Sequence, residues 1–245
     1  MTGYAVKGNA TIVSPGTGNQ LEVFETKLLN RSGATLNMGI CVKMANADWK
    51  LYRITAASTP DGTDITSTVQ AGTTASIIST TNNDGYLVTS ARPFNVIGMN
   101  IVQAETGAPT YVYSYYNGSS MSTFTPTDTI VYTSTGNVTM TMFPSIDWVV
   151  GTSSGILDSA ITPAYSMRLL ATAAPSQAVT INSMWVGYAL AYGDTVADNA
   201  ALTYPAVHSA NNNAVLTLQG QEGIMPFFST ANALNMASVL YKTRG

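Results

Sequence analysis

Gly151-Thr152-Ser153-Ser154-Gly155 satisfies G-x-S-x-G, the pattern in which a serine hydroxyl is held up at a strained strand-to-helix turn to attack an acyl carbon. A base and an acid would complete the site, and Asp194 or Asp198 followed by His208 can be written after Ser153 in that order. The stretch after Ser154, GILDSAITPAY, has no face of period 3.6 and meets Pro163 early, so the helix that the motif requires is not predicted. In a chain this rich in Gly and Ser the pattern arises by chance, and no catalytic residue is expected. His208 is the only histidine and Cys41 the only cysteine, which excludes a histidine-based zinc site. Asp61 with Asp64, and Asp147 with Asp158, are the candidate carboxylate pairs for glycoside hydrolysis. Each pair sits in a turn-like stretch, where an aspartate ordinarily bonds nearby backbone. Asp61, Asp64 and Asp84 lack the spacing of a calcium loop. No metal and no cofactor are expected.

Aromatic rings supply the remaining chemistry. Tyr111, Tyr113, Tyr115, Tyr116 and Trp148 could stack on sugar rings. Alternation puts Tyr111, Tyr113 and Tyr115 on one face of a strand and Val112, Ser114 and Tyr116 on the other. One set is therefore expected inward, leaving Tyr116 and the loop at Ser119 as the candidate exposed contact. Asn117-Gly118 favours positive φ at both centres of a type I′ turn, which predicts a hairpin. Val138, Met140 and Met142 alternate again before Pro144, and Trp148 is expected to plug the core.

The elements that must position these residues read as strands throughout. Residues 1–20 are rich in Gly, Asn and Thr and read as an extended N-terminal arm. Strands are predicted over 21–29, with Leu21, Val23 and Glu25 on one face, and over 36–44, 48–54, 75–79, 86–90, 94–102, 165–172, 179–192 and 238–242. Residues 56–74 read as a long surface loop, and Asn82-Asn83-Asp84-Gly85 as a tight turn. A short helix is plausible only over 229–237, with Ser229 as its cap. Turn signals every 8–15 residues without a long helical period predict an all-β chain, an antiparallel β-sandwich of jelly-roll type. Residues 21–192 would form the sandwich, and 193–245 a C-terminal β extension or small subdomain.

Only 9% of the 245 residues are charged, against about 25% in ordinary domains. Thr, Ser, Asn, Ala and Gly take their place, a composition that suits strands and turns. So little charge gives weak protection against association and predicts a surface covered by other copies or other proteins. The net charge of −3 comes without a basic stripe, so direct nucleic-acid binding is not expected. Cys41 lies within the apolar run NMGICVKMA and reads as a buried, inert thiol. The sequons at Asn9, Asn30, Asn117 and Asn137 are what a Thr-rich chain produces by chance. The N-terminus lacks a signal-peptide core and no run is long enough to span a membrane, so synthesis in a cytoplasm without membrane association is expected.

The order NNDGYLVTSARPFNVIGMNI, YVYSYYNGSS, a Gly-led strand ending FPSIDW, then AYSMRLLAT, with Tyr165 and Arg168 in a Tyr-x-x-Arg strand, resembles structural proteins of tailed-bacteriophage virions. The likeness covers residues 82–172; Met121 and Tyr115-Tyr116 stand where Trp is common in that pattern. It implies a virion component: a head decoration (cement) protein, a head fibre, or a tail or baseplate piece. The absence of a long shaft favours decoration. The partners implied are the major capsid protein and further copies of this chain, as a homotrimer. The competing expectation is a tail-associated adhesin that binds host glycans through Tyr116.

Overall fold

The computed structural model describes residues 2–7, 11, 13–56, 62–127, 129–141, 150, 165–204, 216–228 and 234–244. The chain is all-β, built of antiparallel sheets, none of them closed. It begins with β1 (Thr2–Lys7), β2 (Gln20–Asn30), β3 (Leu36–Lys43), β4 (Trp49–Ile54) and the two-residue β5 (Thr63–Asp64). The one α-helix among the described residues, α1 (Thr66–Gln70), follows, and then β6 (Ala75–Ile78), β7 (Gly85–Ser90) and β8 (Val96–Gln103). Next come β9 (Thr110–Tyr116), β10 (Met121–Phe124), β11 (Gly136–Thr141), β12 (Tyr165–Ala173) and β13 (Val179–Val196). The chain closes with β14 (Ala201–Tyr204), β15 (Leu216–Gln219), β16 (Gly223–Phe228) and β17 (Leu234–Arg244). No helix among the described residues is long and apolar enough to cross a membrane.

Two compact units divide the chain: Met1–Asn46 with Asn137–Thr139 and Trp185–Gly245, and Ala47–Gly136 with Met140–Met184. Residues 193–245, set apart by composition as an extension, fall in the first unit together with residues 1–46.

In the first unit β2 is the hub. β17 pairs along one side of it, β14 and β15 pair end to end along the other, and β1 pairs with the far side of β17. Strict alternation would carry Glu25 onto the face of Leu21 and Val23. Instead Leu21 and Val23 are buried, and then Thr26, Leu28 and Asn30. The cause is a bulge: Leu240 faces Glu25 and Tyr241 faces Val23, so Phe24 has no opposite residue and the phase reverses. Leu21, Val23 and Leu28 share one apolar cluster with Leu36, Met38 and Ile40 of β3, with Leu218, and with Ile224 of β16, which pairs with β3. Residues 2–7, expected within an extended arm, are a strand of this chain's own sheet, and the Ile224 N–H donates to the Val13 carbonyl at 2.9 Å. The helix expected over 229–237 is corrected where it is described: residues 234–237 belong to β17, with β2 on one side and β1 on the other. Ladder bonds on both edges outweigh a weak local helix preference.

In the second unit the order β10-β9-β12-β7-β4-β5 makes a six-stranded antiparallel sheet. The loop expected over 56–74 is also corrected, because it contains β5 and α1. Thr66 fixes them, its Oγ1 accepting the Leu51 N–H at 2.8 Å, and Val69 is buried below. The turn at 82–85 has Asn83 at φ 66 and Asp84 buried. Asp84 accepts the Ala56 N–H at 2.7 Å and the Ser79 hydroxyl, so its carboxylate pins two neighbouring segments.

Candidate functional site

Register assigns every side chain of the six-stranded sheet to one of two faces, since successive residues alternate and paired residues share a face. Tyr115, Tyr113 and Tyr111 lie with Met167, Leu169 and Ala171, and those with Val88 and Tyr86. Trp49, Leu51 and Arg53 complete this face; Trp49, Leu51, Tyr86, Val88, Tyr113, Met167, Leu169 and Ala171 are buried, and Tyr111, Tyr115 and Arg53 partly so.

The tyrosines here form a network. The hydroxyls of Tyr86 and Tyr132 are 2.8 Å apart and buried. The Tyr111 hydroxyl donates to the Glu105 carboxylate, and the Tyr111 ring meets that of Tyr132 edge-on at 5.2 Å. The Glu105 N–H donates to the Tyr132 carbonyl at 2.9 Å. Phe124 of β10 packs against both Tyr113 and Tyr115 at 6.0 Å. Burial pushes the phenols of Tyr86, Tyr113 and Tyr132 well above their ordinary range; burial and then the Glu105 carboxylate do the same for Tyr111. All four stay protonated through the neutral range, so the network fixes strands and offers no proton to exchange there.

The opposite face is of another kind. One cross-strand row runs Asp64, Tyr52, Leu87, Arg168, Ser114, Thr123. Tyr52, Ile54 and Leu87 form an apolar cluster, with Tyr116, Met121 and Leu170 packed against it. Burial, and then the Asp64 carboxylate, push the Tyr52 phenol up to about 12. Arg168 is half-buried in the middle of the row; its Nε is buried without a hydrogen-bond partner, and desolvation lowers the pKa of its guanidinium.

The hairpin that joins β9 to β10 forms, but not with a two-residue turn. Tyr116 pairs with Met121, which leaves Asn117-Gly118-Ser119-Ser120 as a four-residue loop. Asn117 organises it: its Oδ1 accepts the N–H groups of Ser119 and Ser120, each at 3.0 Å, and its Nδ2 donates to Ser122 Oγ at 2.6 Å. These acceptor bonds make an Asx-type turn in which only Gly118, at φ 101, is left-handed. Tyr116 donates its hydroxyl to the Gly118 carbonyl at 2.9 Å, and Ser119 stays exposed at the tip. Tyr116 is thus tied to its own loop through its hydroxyl, while the residue stays partly exposed. Trp148 lies outside the described residues.

No family model, no curated protein and no solved structure matches the chain.

The remaining sequence candidates are dispersed or undescribed. Ser153, His208, Asp61, Asp147 and Asp158 lie outside the described residues, as does the Asp194 side chain. Asp198 accepts the Gly33 N–H at 3.1 Å and the Asn199 amide at 2.7 Å. Among the described residues no three of His, Cys, Asp and Glu stand close enough to hold a metal ion. Cys41 is buried, its thiol donating to the Met225 carbonyl at 3.4 Å, and burial pushes its pKa up. Asn30 uses its amide internally, donating to the Ala34 and Val196 carbonyls at 2.8 and 2.7 Å.

Two members of the tyrosine network escaped sequence reasoning. Tyr132 carried a signal, because Ile130 and Tyr132 are buried on either side of exposed Val131, a short alternation inside a turn-rich stretch. Glu105 carried none; only the fold brings it to the Tyr111 hydroxyl.

Proposed function

We propose that the chain is a non-enzymatic structural protein of a tailed-bacteriophage virion, a capsid decoration or cement protein that stabilises the head by bridging capsid subunits. The observation that carries this reading is the chemistry of the sheet edges. Among the described edge strands β10 (MSTF), β14 (ALTY) and β15 (LTLQ) contain no charged residue, whereas the edges at β1, β5 and β16 carry Lys7, Asp64 and Pro226. A monomer normally guards such edges with lysine, proline or another charge, because an open edge pairs with any other strand. Uncharged edges on a chain with 9% charged residues suit a protein whose edges are covered in an assembly. The order of motifs over residues 82–172 supports a phage virion as that assembly. An antiparallel sandwich of jelly-roll type, seated as a homotrimer on the major capsid protein, is the architecture this reading favours. Contacts spread over many neutral residues supply avidity without one strong site. The adhesin reading rests on the partly exposed Tyr116, whose hydroxyl is occupied within its own loop and so leaves ring stacking as its one means of holding a sugar.

The test is cryo-electron microscopy of virions made with and without the chain. Loss of density over the head lattice and rupture of the heads at a lower temperature are expected. Density lost from the tail alone, or virions that never contained the chain, would overturn the proposal.

A further inference from the structure

The face of the six-stranded sheet opposite the tyrosine network carries a charge that no described residue answers. In the row Asp64, Tyr52, Leu87, Arg168, Ser114, Thr123, the one carboxylate stands three strands from Arg168, about 14 Å at ordinary interstrand spacing. That carboxylate already lies 3.8 Å from Lys50 Nζ. Among the described residues the Arg168 side chain makes no hydrogen bond and no ion pair, and its Nε is buried. A half-buried guanidinium whose Nε is out of water and has no acceptor costs stability, and an apolar residue in its place would fold more easily.

The surroundings say what would answer it. Tyr116, Met121, Leu170 and Val112 lie partly exposed on this face, and Thr123 is exposed at its edge. Tyr, Met and Arg are the residue types enriched at the centres of protein interfaces, where a desolvated Arg serves as an anchor. A small free anion would be held by several converging donors in a concave site; here one guanidinium stands in a pleated strand face with apolar neighbours. We infer that this face docks an extended segment of a partner protein in which an Asp or Glu, flanked by apolar residues, pairs with Arg168. The inference does not depend on the virion reading, since any assembly that uses this face would supply such a segment.

The test joins stability to cross-linking in the full chain. Arg168→Met should leave the Tm of the isolated chain unchanged or raise it, because an unanswered charge is removed. A photo-cross-linking p-benzoylphenylalanine placed at Thr123, in cells that make the chain with its natural neighbours, should capture a different protein. The cross-linked peptide, read by mass spectrometry, should contain Asp or Glu among apolar residues. Its yield should fall about tenfold or more when Arg168→Met is added, the effect of losing a buried charge partner, and fall less with Arg168→Lys. A lower Tm in Arg168→Met would make Arg168 a structural residue and overturn the inference. So would a cross-link to a second copy, to a peptide without an acid, to a non-protein molecule, or to nothing. Virions that lack the chain while the acidic cross-link persists would remove the proposed function and leave this inference standing.

Discussion

Tyr86 and Tyr132 each satisfy the other's hydroxyl in a place no water reaches, so the pair is worth more intact than either half. Tyr132→Phe should cost about 1–3 kcal/mol, the price of leaving the Tyr86 hydroxyl unpaired. Adding Tyr86→Phe should cost less than a second such loss, because both polar groups are then gone; urea unfolding of the two single variants and the double variant measures the difference. The phenols also set an alkaline limit. Tyr52 holds its proton more tightly folded than unfolded, so its contribution is complete below about pH 10, the ordinary phenol value. It is lost as the pH rises towards about 12. The urea midpoint should therefore fall across that window, and Tyr52→Phe should make the fall shallower; an unchanged slope would dissociate Tyr52 from the loss. At this scale the sequence is informative wherever a residue sits in regular alternation. Tyr113 is assigned to a buried face by Tyr111 and Tyr115 alone, whereas Glu105 enters the same network from a connecting segment with no pattern of its own.

Strands were legible where turn signals bounded them, and least legible where pairing decided the outcome. The β9–β10 hairpin follows from Tyr111–Tyr116 and Asn117-Gly118, yet the loop is longer than that dipeptide predicts, because the Asn117 side chain bonds two backbone N–H groups beyond it. Gly118→Ala should cost about 1–3 kcal/mol for the left-handed φ alone, read from thermal or urea unfolding. Gly85→Ala should be far worse. A Cβ there would stand 2.0 Å from the Leu169 carbonyl oxygen, and backbone in the middle of a sheet cannot give way, so loss of soluble folded protein is expected on expression. The bulge at Phe24 was invisible to alternation, since the extra residue is defined by the register of β17, remote in sequence. The helix expected over 229–237 gives way to strand at residues 234–237 for the same reason, since β17 takes its conformation from β1 and β2.

At the scale of the whole chain, composition identified the class and missed the partition. Low charge with many Thr, Ser and Gly residues predicts an all-β protein, but each of the two units draws on stretches far apart in sequence, which no local pattern records. Edge chemistry is where the whole-chain reading can be challenged without disturbing the core. Thr217→Lys in β15 and Thr123→Lys in β10 place a charge at exposed edge positions. Each should leave the unfolding free energy within about 0.5 kcal/mol of the parent while reducing co-sedimentation with phage heads. Undiminished binding by both variants would mean that these edges are not the ones covered.

One strand fixes the order in which this chain can be completed. β17 lies between β1 and β2, yet it is the last of the three to leave the ribosome. Until it arrives, β1 has no place in the sheet and β2 shows a bare flank to every other nascent chain. Pairings this distant in sequence close slowly, and the interval before closure is when strands of neighbouring chains can substitute for β17. The last-made of these three strands is therefore also their seal, and fast dilution from denaturant should yield more soluble protein the lower the chain concentration.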